Sequence, residues 1–186
     1  MSHLTKYGAE PNISIQYRRQ SFANGLGAAI LLDPFAVLLP DDIFIKKGQP
    51  ALQEHLDVYE NYQSTVIALE KTEEKLLKNY GVVKGTVKED NIFEIHDIVE
   101  KPRSAPPSNL AVCGRYIFES SIFSHLEKVG QGIGGEVQLT DAIKELSKLN
   151  KCYGVEVASD RYDIGTDEGY FNLIQKVMSK SETEDE

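Results

Sequence analysis

The stretch Phe35-Ala36-Val37-Leu38-Leu39 is an unbroken apolar run, stopped by Pro40 and followed at once by Asp41 and Asp42. A short continuous apolar run bounded by a turn residue predicts a strand buried on both faces, as in a parallel sheet, with two carboxylates at its exit. Ligands of open α/β sheets gather beyond the carboxyl ends of strands. The placement therefore matters for chemistry as well as for packing.

The rest of the chain supplies what such a strand needs around it. Ser14 to Arg19 alternates apolar and polar as a short strand does, and Gly27 to Leu32 forms a short helix that Asp33-Pro34 would stop. Leu52, Leu56 and Tyr59 recur at helical spacing behind Pro50, which predicts a helix over residues 51–62. A strand follows over residues 64–69, then a short helix from Thr72 to Tyr80 closed by Gly81. Val82 to Val87 and Ile92 to Val99 alternate on either side of Glu89-Asp90-Asn91, the pattern of a hairpin. Beyond the proline-rich loop Lys101 to Ser108, a strand runs from Ala111 to Phe118. Two amphipathic helices follow, one with Ile122, Phe123, Leu126 and Val129 and one with Leu139, Ala142, Ile143, Leu146 and Leu149, separated by the glycine-rich segment 130–135. A strand from Tyr153 to Val157 and a final helix with Tyr170, Phe171, Ile174, Val177 and Met178 complete the pattern. Strands and helices mixed in this way, with a hairpin embedded, predict an α/β domain built on a mixed sheet. A length of 186 residues suits one domain of this kind.

Charge and cysteine usage exclude several classes. The formal net charge is −9, and four of the 29 acidic residues sit in the last five positions, an acidic tail expected to be disordered. No basic stripe survives, and Tyr17-Arg18-Arg19-Gln20 is too small to track phosphates, so nucleic acid is not an expected partner. Cys113 and Cys152 show neither CxxC spacing nor a companion histidine cluster, and both read as small buried hydrophobes. The four histidines read as surface or satisfied groups. Nothing has the pattern of a signal peptide or an uninterrupted membrane span, which points to a reducing cytoplasm.

Four constellations can carry chemistry. Asp41 and Asp42 suit Mg²⁺, which takes one or two carboxylates, several waters and substrate phosphates, or they simply end a strand and cap a helix. Asp163, between Tyr162 and Ile164 and before Gly165, is an acid among apolar neighbours that needs a cation or donors. It is a second magnesium ligand, a salt-bridge partner of Arg161 or a helix cap. Glu100-Lys101-Pro102 ends the hairpin, where a lysine can meet a phosphate and a glutamate can accept hydrogen bonds from sugar hydroxyls. Gly25-Leu26-Gly27 allows close approach to a ligand but is not a dinucleotide fingerprint.

Taken in order, Gln20 with Gly25-Leu26-Gly27, Leu39-Pro40-Asp41-Asp42, Tyr80-Gly81-Val82-Val83, Val99-Glu100-Lys101-Pro102, Pro107 to Ala111 with Gly114-Arg115-Tyr116, Gly134 to Ala142 and Tyr162-Asp163-x-Gly165 resemble the bacterial UTP-glucose-1-phosphate uridylyltransferases. The similarity covers Ser14 to Met178. It implies the Rossmann-like mixed sheet of a nucleotide-diphospho-sugar transferase. It also implies transfer of a uridylyl group from UTP to glucose 1-phosphate with release of pyrophosphate, in a cytoplasmic homo-oligomer. Carried onto matching positions, Asp41 would hold Mg²⁺ with Asp163 as its partner carboxylate, and Lys101 would contact the sugar phosphate. Glu100 and Gly81 would hold glucose, Gln20 and Gly25 the uracil, and Glu136 would lie near the sugar pocket or the subunit interface.

The family pattern also opens with a strand and a glycine-rich loop containing Gly-Thr-Arg that grips the nucleotide phosphates. No segment here matches it, and Ala28 stands where a histidine is common. The expectation is a single nucleotidyltransferase domain over residues 1–180, N-terminally incomplete by about a third of the family fold, with residues 181–186 as the tail. Three readings follow: an active member completed by another chain, a non-catalytic sugar-nucleotide-binding or subunit-associating protein, and a shortened form of a longer enzyme.

Overall fold

The computed structural model describes residues 34–45, 48–130 and 137–184. The expected strand at Ser14 to Arg19, the helix at Gly27 to Leu32, and Gln20, Gly25 and Glu136 lie outside the described residues.

The sheet is organised on the nine-residue apolar strand β6 (Leu110–Phe118), whose residues are buried except Arg115. β1 (Phe35–Leu38) pairs antiparallel with one edge of β6 and β3 (Thr65–Lys71) with the other. β7 (Cys152–Glu156) adds to β3 in the one parallel pairing among the described residues, and the hairpin of β4 (Gly81–Glu89) and β5 (Ile92–Glu100) completes the order β1-β6-β3-β7-β5-β4. The ladder curls enough for Val82 of β4 to pair with Ala111 of β6. A two-stranded ribbon of β2 (Asp42–Ile45) and β8 (Asp160–Asp163) forms separately. This is the expected mixed α/β sheet with its embedded hairpin.

The apolar run that suggested a doubly buried parallel strand behaves differently. Among the described residues β1 pairs only with β6, antiparallel, and of its four residues only Val37 is buried, with Leu38 49% exposed. Its aromatic end is nonetheless well packed, with the Phe35 ring 5.3 Å from Phe123 and 5.9 Å from Phe118. A uniform apolar run carries no alternation to show which side faces solvent, so its antiparallel pairing with β6 could not be read from composition.

α1 (Ala51–Tyr62) packs against β3, β6 and β7, yet its inner face is rotated by one residue from the expected stripe. Ala51, His55 and Val58 are buried, while Leu56, Tyr59 and Tyr62 flank the core cluster of Val58, Val66, Ile92, Ile117, Tyr153 and Val155. The short segment before Gly81 is a 3-10 turn (Glu74–Asn79) rather than an α-helix, and Gly81 begins a strand rather than capping a helix. α2 (Ser121–Leu126) is shorter than expected, and α3 (Leu139–Leu149) buries Ala142, Ile143 and Leu146 against β5 while leaving Leu149 exposed. α4 (Asp167–Glu184) follows β8.

His55 corrects the reading of the histidines as surface or satisfied groups. It is fully buried, its Nδ1 lies 2.6 Å from the Ala51 carbonyl oxygen, and its Nε2 has no hydrogen-bond partner among the described residues. Burial lowers its pKa below the usual imidazole range, against the raising effect of the Ala51 carbonyl and with a further lowering by Arg115. The folded state thus binds fewer protons than the unfolded state once the pH falls below about 6.5, and stability is lost as the pH drops toward the folded pKa. The denaturant midpoint is expected to fall between about pH 6.5 and pH 5. His55→Leu should flatten that slope, and an equally steep slope in the variant would show that another group governs it.

Candidate functional site

The turn after β1 separates two adjacent aspartates into different environments. Asp42 opens β2 and is buried: its Oδ1 accepts from Arg161 Nε at 2.5 Å and its Oδ2 from the Gly114 backbone N–H. Gly114 is required here, because a β-carbon at that position would sit 2.6 Å from Leu39 Cβ and 2.7 Å from Asp42 Oδ2. Arg115 fixes the same turn. Its guanidinium donates to the carbonyls of Leu39 at 2.9 Å and Asp42 at 2.7 Å and lies over the Phe44 ring at 4.8 Å. Neither aspartate caps a helix. Asp42 belongs to the frame, and Asp41 is left exposed at the apex.

β8 brings Asp163 to that apex. Asp42 pairs with Asp163 across the ribbon, and the Ile164 N–H donates to the Asp41 carbonyl at 2.8 Å. A β-carbon placed on Gly165 would lie 3.1 Å from Asp163 Oδ1 and 3.6 Å from Asp41 Oδ2. The two carboxylates therefore reach the same small volume beside a residue without a side chain. Asp163 is positioned by donors on both oxygens: Gly165 N–H to Oδ1 at 3.1 Å and Tyr80 O–H to Oδ2 at 2.9 Å. Its ion pair with Arg161 is looser, at 3.6 Å. The helix-cap role falls instead to Thr166, whose hydroxyl donates to the Asp163 carbonyl and accepts from the Gly169 N–H.

Arg161 holds this arrangement from below. Its side chain is 6% exposed and faces Asp42, Glu70 at 3.1 Å and Asp163, with its guanidinium over the Tyr80 ring at 4.9 Å. Tyr80 in turn joins the carboxylates to the hairpin end, because its carbonyl accepts from the Lys101 N–H at 3.0 Å. Burial, followed by the hydrogen bond to Asp163, raises its phenol pKa, so the O–H remains a donor at neutral pH.

At the hairpin end, Gly81 lies directly opposite Glu100 in the ladder. A β-carbon on Gly81 would meet Thr140 Cγ2 at 2.9 Å and Glu100 Oε2 at 3.3 Å. Thr140 Oγ1 is buried and has no hydrogen-bond partner among the described residues. Lys101 takes a left-handed backbone, φ 44°, and its ammonium stands 3.8 Å from Glu100 Oε1 with more than half of the side chain exposed. A non-glycine residue in this conformation costs about 1 kcal/mol or more. The fixed N–H bond to Tyr80 maintains it and directs the lysine outward at the strand exit.

The structure thus brings together Asp41 with Asp163, and Gly81 with Glu100 and Lys101, and it couples the two groups through Tyr80. Sequence reasoning passed over Tyr80, Glu70 and Thr140 and gave Arg115 no role. Arg115 did carry a signal: a cation inside the otherwise apolar Leu110–Phe118 needs buried acceptors. Tyr80 carried none, since its contacts come from residues 83 and 21 positions away.

The donor set can be compared with metals. Among the described residues no group of three or more His, Cys, Asp or Glu side chains converges. Two carboxylates with open positions do not make a structural zinc site, and they match the sparse protein coordination that Mg²⁺ accepts when waters and phosphates supply the remainder. Burial pushes the Cys113 thiol up, so this neighbour of Gly114 supplies no thiolate.

Residues 2–180 match the family model described as nucleotidyl transferase. The chain is 45% identical over 185 residues to a Bacillus subtilis (strain 168) protein named "Putative UTP--glucose-1-phosphate uridylyltransferase", covering 95% of this chain and 67% of that one. It is 37% identical over 186 residues to UTP–glucose-1-phosphate uridylyltransferase 2 of Staphylococcus saprophyticus, covering 96% and 64%. A crystal structure of UDP-glucose pyrophosphorylase complexed with UDP-glucose superposes with a TM-score of 0.82 at 36% identity, covering 89% of this chain and 66% of that one. The chain thus spans about two thirds of the length of the relatives it matches.

Proposed function

The chain belongs to the nucleotidyl transferase family, and from that premise we propose that it acts in the transfer of a uridylyl group from UTP to glucose 1-phosphate. An oxygen of the sugar phosphate attacks the α-phosphorus of UTP. A new P–O bond forms, the bond to the bridging oxygen of the β-phosphate breaks, and pyrophosphate leaves. The observation that carries this reading is the convergence of Asp41 and Asp163 at Gly165 and their connection through Tyr80 to Glu100 and Lys101.

Phosphoryl-group transfers rely on positioning and charge neutralisation more than on covalent chemistry by the protein. Asp41 and Asp163 would hold Mg²⁺, which when bound supplies positive charge to the phosphates. The other steps belong to this chain's own side chains. Gly81, opposite Glu100 in the ladder, would hold the glucose by its backbone. Glu100 accepts from sugar hydroxyls, and a hydroxyl-rich ligand there would also answer the buried Thr140 Oγ1, which has no partner among the described residues. Lys101 meets the sugar phosphate. By the resemblance alone, Gln20 and Gly25 are assigned to the uracil and Glu136 to the sugar pocket or the subunit interface. The proposed setting is a cytoplasmic homo-oligomer, and no helix among the described residues is long and apolar enough to cross a membrane.

Pyrophosphate release from UTP, glucose 1-phosphate and Mg²⁺ tests the activity, and calorimetry with UDP-glucose tests the site independently. UDP-glucose binding without turnover would assign a non-catalytic sugar-nucleotide-binding role, and neither signal would remove the proposal. Lys101→Met is expected to weaken UDP-glucose binding by about 10-fold, the worth of one charge-assisted hydrogen bond at a partly exposed position. Unchanged affinity would mean that the lysine does not meet the phosphate.

A further inference from the structure

We infer that the groove between the 3-10 turn Glu74–Asn79 and the loop 102–106 is a phosphate-binding site, separate from the Lys101 contact and built on Lys78 and Arg103. The two segments run side by side and are tied at both ends by backbone hydrogen bonds. The Thr72 N–H donates to the Asn109 carbonyl at 2.9 Å on one side, and the Lys101 N–H to the Tyr80 carbonyl at 3.0 Å on the other. Ser108 fixes the end of the loop, since its hydroxyl donates to the Val83 carbonyl at 2.7 Å and accepts from the Leu110 N–H at 2.9 Å. Lys101 and Ala105 take left-handed backbone, φ 44° and 45°, a conformation that residues with side chains keep only where the surroundings impose it. The space enclosed is therefore a framed feature of the fold, an open groove of about 550 Å³.

Its charge is opposite to that of the chain around it. The lining carries Lys75, Lys78 and Arg103 against one acid, Glu74, while the chain as a whole has a net charge of −9. In a 3-10 turn side chains three apart eclipse, so Lys75 and Lys78 stand one above the other on one wall while Leu77, 1% exposed, turns to the core. Arg103 comes from the other wall. Lys75 is already committed to Glu73 at 2.7 Å and feels Glu168 as well. Lys78 and Arg103 form no ion pair among the described residues. The cations on opposite walls are thus the two left to a ligand.

The donor set selects the ligand class. Arginine presents a planar fork and lysine a compact charge, and both meet phosphate oxygens in charge-assisted hydrogen bonds. The Ser104 hydroxyl, in the same lining, is a neutral third donor. A phosphate dianion can meet all three donors while neutralising both free cations, whereas a single carboxylate neutralises one. Three cations are too few to track a nucleic-acid backbone, and a groove of this volume suits a small molecule. The ligand is therefore a small phosphate, either the free anion or the phosphate of a small ester. The loop begins where Lys101 leaves β5, so an anion held there lies beside the sugar-phosphate contact of the proposed function. The site itself does not depend on that reading.

Titration of inorganic phosphate into the full chain, followed by backbone-amide NMR at an ionic strength held constant with potassium chloride, should shift the amides of residues 74–78 and 103–105. The dissociation constant should be on the order of 1 mM, the worth of two charge-assisted hydrogen bonds. Lys78→Gln and Arg103→Gln should each weaken uptake by about 10-fold, with unchanged melting temperatures because both positions are exposed. Arg103→Lys keeps the charge without the fork and should recover part of the loss. Lys101→Met should leave the response of the groove intact, which separates this site from the sugar-phosphate contact. Glucose 1-phosphate moving the same amides would give the groove to phosphate monoesters, and a response to orthophosphate or pyrophosphate without it would give the groove to the free anion; either result supports the site. No shift there with any of the three would overturn the proposal. So would an affinity indifferent to both the Lys78 and the Arg103 substitutions, or one abolished by Lys101→Met alone.

Discussion

Asp41→Asn is expected to lower pyrophosphate release from UTP and glucose 1-phosphate by about 100-fold or more, with no loss of thermal stability. The two halves of this expectation have separate causes. Asp41 is exposed at the apex of its turn, and the contact that ties it to the fold is made by its backbone carbonyl, which the substitution leaves in place. Its carboxylate is one of two that reach the space beside Gly165, and groups aimed at transition-state charge are worth about 100- to 1,000-fold each. Replacing the carboxylate by an isosteric amide removes the charge and little else. The Mg²⁺ concentration needed for half-maximal effect should rise with the loss, and calorimetric titration of Mg²⁺ into the UDP-glucose complex should show weaker uptake. An Asp41→Asn chain with wild-type turnover and wild-type Mg²⁺ dependence would remove Asp41 from the proposed site. A large drop in melting temperature would show that its side chain is structural, contrary to the geometry.

The distinction between Asp41 and its neighbour shows what could and could not be read from the amino-acid order. Both residues are aspartates after the same apolar run, and nothing local separates them. Successive side chains leave an extended segment on opposite sides, so one of the pair had to point inward, but which one depends on where β6 and β8 lie. Gly114 and Arg161, 72 and 119 positions from Asp42, decide it. Contacts at such separations leave no local pattern. The hairpin of β4 and β5, the apolar β3 and the buried stripe of α3 were legible because each depends on periodicity within one segment. α1 was legible as a helix but not in rotation, since His55, counted as polar, sits at its buried centre. β1 was legible as a strand but not in the antiparallel sense of its pairing with β6.

The grouping of the candidate residues was legible in the same divided way. The ordered motifs picked out Asp41, Gly81, Glu100, Lys101 and Asp163, and in the fold these residues lie at neighbouring strand ends. What the motifs did not convey is how the two groups are joined. Tyr80 bonds to Asp163 with its hydroxyl and to Lys101 with its carbonyl, so the spacing between the carboxylates and the hairpin exit is set by one residue. A tyrosine before a glycine has many ordinary uses, and only the folded geometry distinguishes this one.

Arg161→Met should be the most destabilising single change among the site residues, at about 3–5 kcal/mol, because it strands buried carboxylates rather than merely deleting an attraction. Arg161 and Asp42 have side chains 6 and 8% exposed and lie 2.5 Å apart. Without the guanidinium, Asp42 keeps only the Gly114 N–H, Glu70 loses a donor at 3.1 Å, and the face of the Tyr80 ring loses its cation. Asp42→Asn should cost less, because the amide oxygen can still accept from Gly114 and Arg161 retains Glu70 and Asp163. The double variant should be more stable than the sum of the two single losses predicts, by about 1–3 kcal/mol, as expected for partners in one network. Denaturant midpoints of the four chains measure this directly. If Arg161→Met fails to fold, Arg161→Lys retains the charge without the planar fork and keeps the comparison available. Strict additivity, or a cost below about 1 kcal/mol for Arg161→Met, would show that the pair does not hold the frame. In that case the position of Asp163 would have to be set by Tyr80 and Gly165 alone.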